Sequence, residues 1–185
     1  EIVRFITEKA KCETLEGHEK EILDVIEKYS KTWKVLGQYD EGKIEVKKFK
    51  KTKYGLNYYA CQELIDGLKE DLIAKKIVGD LFGREREQSF EAIIGNLYQT
   101  YGGEELYSSL EEKAAHLLYF VIKDHPFSDG NKRIGSLLFL YFLEKNNFLF
   151  KKDGAVKIND RTIVALALLV ASSDPREKEA MVRLT

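Results

Sequence analysis

Apolar residues recur every three or four positions along most of this chain, the spacing that lines them up on one face of an α-helix. Ile22, Val25, Ile26, Tyr29, Trp33 and Leu36 form the first such stripe, closed by Gly37 and the polar run to Gly42. Leu64, Ile65, Leu68, Leu72 and Ile73 predict a second helix, and Phe90, Ile93, Ile94 and Leu97 a short third. The rhythm lapses from Asn96 to Tyr107, where tyrosines flank Gly102-Gly103, a pattern that predicts a short hairpin. Ser109-Leu110-Glu111-Glu112 reads as a capping box, Ser109 at the N-cap and Glu112 three residues on. It opens a helix with Ala114, Leu117, Leu118, Val121 and Ile122 on one face, which Pro126 stops just past His125. Ile134, Leu137, Leu138, Tyr141 and Phe142 mark the next helix, ended by Asn146-Asn147. A last core helix is predicted from an Asp160 cap to about Ser172, with a short charged helix after Pro175. The predicted fold class is all-α, a helical bundle with one hairpin.

Composition narrows the class without naming it. At 185 residues the chain suits one cored domain, read as a helical extension and lysine-rich linker over 1–56 and a core over 57–185. A net charge of -1 steers the whole neither to nucleic acid nor to a membrane surface, and no apolar run approaches membrane-spanning length. The lysine-rich stretch from Lys43 to Lys53 reads as a solvated linker, with a DNA contact as the rival. Cys12 and Cys61 lie far apart and the three histidines are scattered, so a structural zinc site is not expected and a reducing cytoplasm is the default location. The first residue is Glu1, and a further N-terminal domain is expected ahead of it.

Polar chemistry is concentrated in one place, His125-Pro126-Phe127-Ser128-Asp129-Gly130-Asn131-Lys132-Arg133, between two of the most apolar helices. A helix starting near Asn131 aims free N–H groups and the positive end of its dipole at the loop before it. Gly130 lets backbone approach a bound group, and Lys132 and Arg133 add full positive charge. This is an anion site in prospect. Asp129 would repel phosphates unless a hard divalent cation, most naturally magnesium, bridged the two. An imidazole at His125 suits removal of a proton from an attacking hydroxyl near neutral pH.

These nine residues resemble the signature of the Fic/Doc family, His-x-Phe-x-Asp/Glu-Gly/Ala-Asn-Gly/Lys-Arg, with every position filled. The resemblance covers about residues 80 to 150. It implies His125 as general base, Phe127 as buried anchor of the loop, Asp129 as magnesium ligand, and Gly130, Asn131, Lys132 and Arg133 around the phosphates of ATP or another nucleotide. It further implies a flap over Leu97, Tyr98, Tyr101, Gly102, Gly103 and Tyr107 that pairs with an extended segment of a target protein. An antitoxin or regulatory domain is the other partner it brings to mind; direct nucleic-acid binding is not implied. The activity implied is transfer of a nucleotide-derived phosphate group to a target hydroxyl, in a toxin or other regulator. A catalytically inactive nucleotide-binding regulator or scaffold is the alternative.

Two positions bear on which group moves. Lys132 stands where nucleotide-transferring members carry glycine, and Ser136 where many carry a second arginine. Both resemble the Doc branch, which transfers a terminal phosphate, and leave AMP transfer and phosphate transfer open. Cys12-Glu13-Thr14-Leu15-Glu16-Gly17 partly resembles the family's inhibitory helix, yet Glu16 lacks its arginine partner and reads as an ordinary helix end. His116 reads as structural, His18 as exposed, and Arg84 and Arg86 as charged surface.

Overall fold

The computed structural model describes residues 51–185. The stripe from Ile22 to Leu36, the residues Cys12, Glu16 and His18, and most of the lysine-rich stretch lie outside the described residues.

Six α-helices and one two-stranded hairpin make up the described chain: α1 (Tyr58–Ala74), α2 (Ser89–Leu97), β1 (Thr100–Tyr101), β2 (Glu104–Glu105), α3 (Leu110–Lys123), α4 (Asn131–Lys145), α5 (Asp160–Ser172) and α6 (Lys178–Leu184). A single 3-10 turn, Pro175–Glu177, leads into α6. The strands are antiparallel, Thr100 opposite Glu105 and Tyr101 opposite Glu104, around Gly102 and Gly103 at φ 63° and 88°. Two successive residues at positive φ are what a tight hairpin turn requires.

The middle of the bundle is α3. Nine of its fourteen residues are buried, so it is covered nearly all round, and it packs against α2, α4, α5 and α6. Its start is the capping box read from sequence: Ser109 Oγ accepts the Glu112 N–H at 3.0 Å, and Glu112 Oε2 accepts the Ser109 N–H at 3.2 Å. The α2 stripe is buried throughout, at Phe90, Ile93, Ile94 and Leu97. Two details differ from the periodicity. Asn159, not Asp160, caps α5, its Oδ1 accepting the Thr162 N–H at 2.8 Å, which leaves the Asp160 carboxylate in the first turn, where the helix dipole favours it. Ile73 lies at the edge of its stripe and is exposed.

Asn146 ends α4 and reaches back to the start of the described chain. Its Oδ1 accepts the Lys53 and Tyr54 N–H groups, each at 2.9 Å, and its Nδ2 donates to Phe142 O at 2.9 Å. No helix among the described residues is long and apolar enough to cross a membrane.

Candidate active site

The loop from Asp124 to Gly130 hangs between the C-terminus of α3 and the N-terminus of α4, and three fastenings hold it. The first is Phe127, fully buried with its ring centroid 5.2 Å from that of Phe90. The second is Asn131, whose Oδ1 accepts the Phe127 N–H at 2.9 Å while its Nδ2 donates to Phe127 O at 2.8 Å. Both ends of this amide are committed to the loop backbone. The Asn131 amide thus shapes the loop.

The third fastening is a short extended segment, residues 82–86, whose Arg84 and Arg86 side chains are exposed as the sequence predicts while its backbone bonds the loop. Gly83 N–H donates to Asp129 O at 3.1 Å, Ser128 N–H to Arg84 O at 2.8 Å, and Arg86 N–H to Pro126 O at 2.8 Å. Glu85 thus stands opposite Phe127 in an antiparallel bridge, and Phe82 beside Asp129 in a parallel one. Isolated bridges of this kind leave no alternating pattern to read in advance.

Against this backing the chemical groups of the loop face outward. His125, exposed, occupies the left-handed region at φ 49°, a conformation that costs a side-chain-bearing residue energy and here turns the chain sharply off the end of α3. Gly130 caps α4 at φ 88°, and a Cβ there would lie 2.3 Å from Cε2 of the buried Phe82 ring. Glycine is required from the core side, whatever binds in front. Asp129 is exposed, with Oδ1 accepting the Gly130 N–H at 2.7 Å and Oδ2 without a partner among the described residues. The first intrahelical bond of this turn joins Ile134 N–H to Gly130 O, so the N–H groups of Asn131, Lys132 and Arg133 have no acceptor among the described residues. Lys132 and Arg133 are exposed and have no ion-pair partner there either. Ser136 turns its hydroxyl back to Lys132 O at 2.9 Å.

The predicted flap divides. Tyr101, 87% exposed, and Gly102 and Gly103 form its free tip. Leu97, by contrast, is buried in the core, because it closes the apolar stripe of α2. Tyr98 is half-buried with its hydroxyl accepting the Leu56 N–H at 2.7 Å, and burial raises its pKa. Tyr107 stacks on His116 at 3.8 Å between centroids. The side chains of these three anchor the hairpin to the bundle. The anchoring runs through Lys113, a fully buried lysine whose Nζ donates to Glu105 Oε2 at 2.9 Å and to Tyr107 O. Lys113 escaped notice, although a lysine on the stripe of Leu110, Ala114 and Leu117 was a readable sign of a buried charge needing partners. It lies in the first half of α3, whereas the loop leaves the far end, roughly 1.5 Å per residue further along the axis. The backbone laid directly on the loop is the 82–86 segment.

His116 is structural as well, its Nδ1 2.9 Å from Glu112 O. Burial chiefly lowers its pKa from the ordinary value of 6.5. On acidification the unfolded chain takes up this proton first, so the stability present above pH about 6.5 is lost as pH falls toward the lower folded value. Melts from about pH 7.5 to about pH 5 are expected to show a fall in Tm that is smaller in His116→Phe, which keeps the stack on Tyr107. Equal slopes for the two proteins would refute this assignment.

An all-helical domain whose core opens at one point into a His–Asp–Gly–Asn–Lys–Arg loop is the class that fold and site define. The model of the Fic/DOC family matches residues 38–143, more than half the chain, and the chain belongs to that family. No curated protein and no solved structure matches it.

Proposed function

We propose that this chain transfers a nucleotide-derived phosphate group to a hydroxyl of a target protein. Family membership supports a transferase in general, and one observation carries the finer reading. A short rigid loop presents an exposed imidazole, a carboxylate with one free oxygen, and an open helix start flanked by Lys132 and Arg133. The three free N–H groups and two cations suit the oxygens of a nucleotide's phosphates, with Arg133 able to bind two at once.

Asp129 fits a magnesium ion. One anchored, exposed carboxylate is the donor set of a cation that takes its remaining ligands from phosphates and water, and among the described residues no cluster of three or more His, Cys, Asp or Glu offers a protein-only cage. When bound, the metal would offset phosphate charge. His125 takes the proton of the incoming hydroxyl as its oxygen forms a bond to phosphorus. The bond broken is that to pyrophosphate for AMP transfer, or to ADP for terminal phosphate transfer. Lys132 and Ser136 favour the second, since a lysine at the helix start draws the phosphates and no second arginine stands at 136 to hold a γ-phosphate in the pose for AMP transfer. The target's extended segment would lie near the loop, with the 82–86 backing and the Tyr101 tip as the surfaces closest in kind to a strand partner.

The test is mass spectrometry of cell proteins incubated with the chain and ATP carrying label at the α or the γ phosphate. Label from γ alone, lost in Asp129→Asn, is the expected result. Label from α alone would replace phosphate transfer by AMP transfer. Nucleotide bound without any modified protein would point instead to a regulator.

A further inference from the structure

We infer that Glu85 is a positioning residue for the loop, acting through the segment that backs it. This rests on the transferase reading for its kinetic consequence but not for its structural one. Its carboxylate gathers four donors from two helices. Oε2 accepts Tyr58 Oη–H at 2.5 Å and Gln62 Nε2–H at 2.7 Å from α1. Oε1 accepts the N–H groups of Phe90 at 2.8 Å and Glu91 at 3.3 Å in the first turn of α2.

The second set of bonds matters because α2 has no cap of its own. Gln88, at the N-cap position, sits at φ 58° and makes no capping bond, so Glu85 supplies from outside the helix the negative acceptor that free N–H groups and the dipole favour. The carboxylate therefore fixes three things together: the first turns of α1, the start of α2, and the stretch of backbone between Arg84 and Arg86. Both neighbours of Glu85 bond to the loop, through Arg84 O and Arg86 N–H. Phe90, whose N–H the carboxylate holds, carries the ring on which Phe127 rests. The side chain of Glu85 thus holds the helix start that carries Phe90 against Phe127, while the residues on either side of Glu85 bond the loop backbone flanking Phe127. The sequence showed only an acidic residue in an alternating charge run, Arg84-Glu85-Arg86-Glu87.

The cations that hold phosphates lie elsewhere, on the first turn of α4, a helix seated against α3 and α5. Loss of Glu85 is therefore expected to shift His125 and Asp129 relative to a nucleotide that still binds. Misplacement of reacting groups by about 1 Å costs about a hundredfold in rate.

The experiment compares Glu85→Ala, Glu85→Gln and Tyr58→Phe with the parent protein by amide hydrogen exchange, nucleotide titration and transfer kinetics. Glu85→Ala is expected to speed exchange at Ser128 and Arg86 at least about tenfold while the α3 and α5 amides keep their protection. It should lower kcat by about a hundredfold and leave nucleotide Kd within about threefold, with Glu85→Gln intermediate. Tyr58→Phe removes a single donor and is the milder probe should Glu85→Ala not fold; it is expected to speed the same two amides less. Unchanged exchange at Ser128 and Arg86 in the folded variants overturns the inference. So does a kcat that falls only in step with the folded fraction. A parent protein that transfers nothing, with variants that still loosen these amides, sinks the transferase reading and leaves the brace standing.

Discussion

His125→Gly is expected to lower transfer by about 10²- to 10⁴-fold, the share of general-base catalysis, while the domain becomes no less stable. Ordinarily a substitution at a rigid loop costs stability. Here the native φ of 49° penalises any residue with a Cβ, by about 1–2 kcal/mol, and glycine removes that penalty. Glycine's greater freedom in the unfolded chain takes back about 0.5–1 kcal/mol, so a net gain of between about 0 and 1.5 kcal/mol remains. Little opposes the gain, because the imidazole is exposed and has no hydrogen-bond partner among the described residues, its charge contact being with the neighbouring Asp124. His125→Ala, which keeps the left-handed strain, should lose activity equally and gain nothing. Denaturant titration beside a transfer assay checks the pair. A glycine variant that loses more than about 1 kcal/mol, or that transfers at the parent's rate, would show the histidine is held for packing.

Gly130→Ala is the opposite case and the most damaging single methyl this loop can receive. The added Cβ meets Cε2 and Cδ2 of Phe82 at 2.3 and 2.5 Å, and Phe82 is wholly buried, so the ring has nowhere to go. Overpacking and positive φ together are expected to cost about 3 kcal/mol or more, lowering Tm well outside the range of surface substitutions. The two causes separate in a double-mutant cycle. Phe82→Leu is itself destabilising, but combined with Gly130→Ala it should cost clearly less than the sum, since the shorter side chain vacates the ring edge. Strict additivity would mean that strain at φ 88° alone, and no clash, makes glycine necessary here.

Helical spacing by itself determined most of the architecture. The stripes of α1 to α5, the Ser109 box, the Gly102-Gly103 turn and the Asn146 stop depend on interactions within a few residues, and local interactions leave periodic traces. The loop was legible for a different reason: so many polar types crowded between apolar helices have no structural use that fewer of them could not serve.

What only tertiary structure decided are the contacts between segments distant along the chain. Leu97 and Tyr107, read as flap residues beside a glycine turn, also fasten the hairpin, Leu97 in the stripe of α2 and Tyr107 stacked on His116 of α3. Nothing local to Asn131 showed that its amide closes on the Phe127 backbone. Glu85 sat in a charge run legible only as surface, and its role appears where Pro126 and Ser128, some forty residues on, pair with its neighbours. A hydrogen bond between remote backbones asks nothing of side-chain identity, so the residues that make it carry no mark. Their partners come into reach only when the bundle has closed.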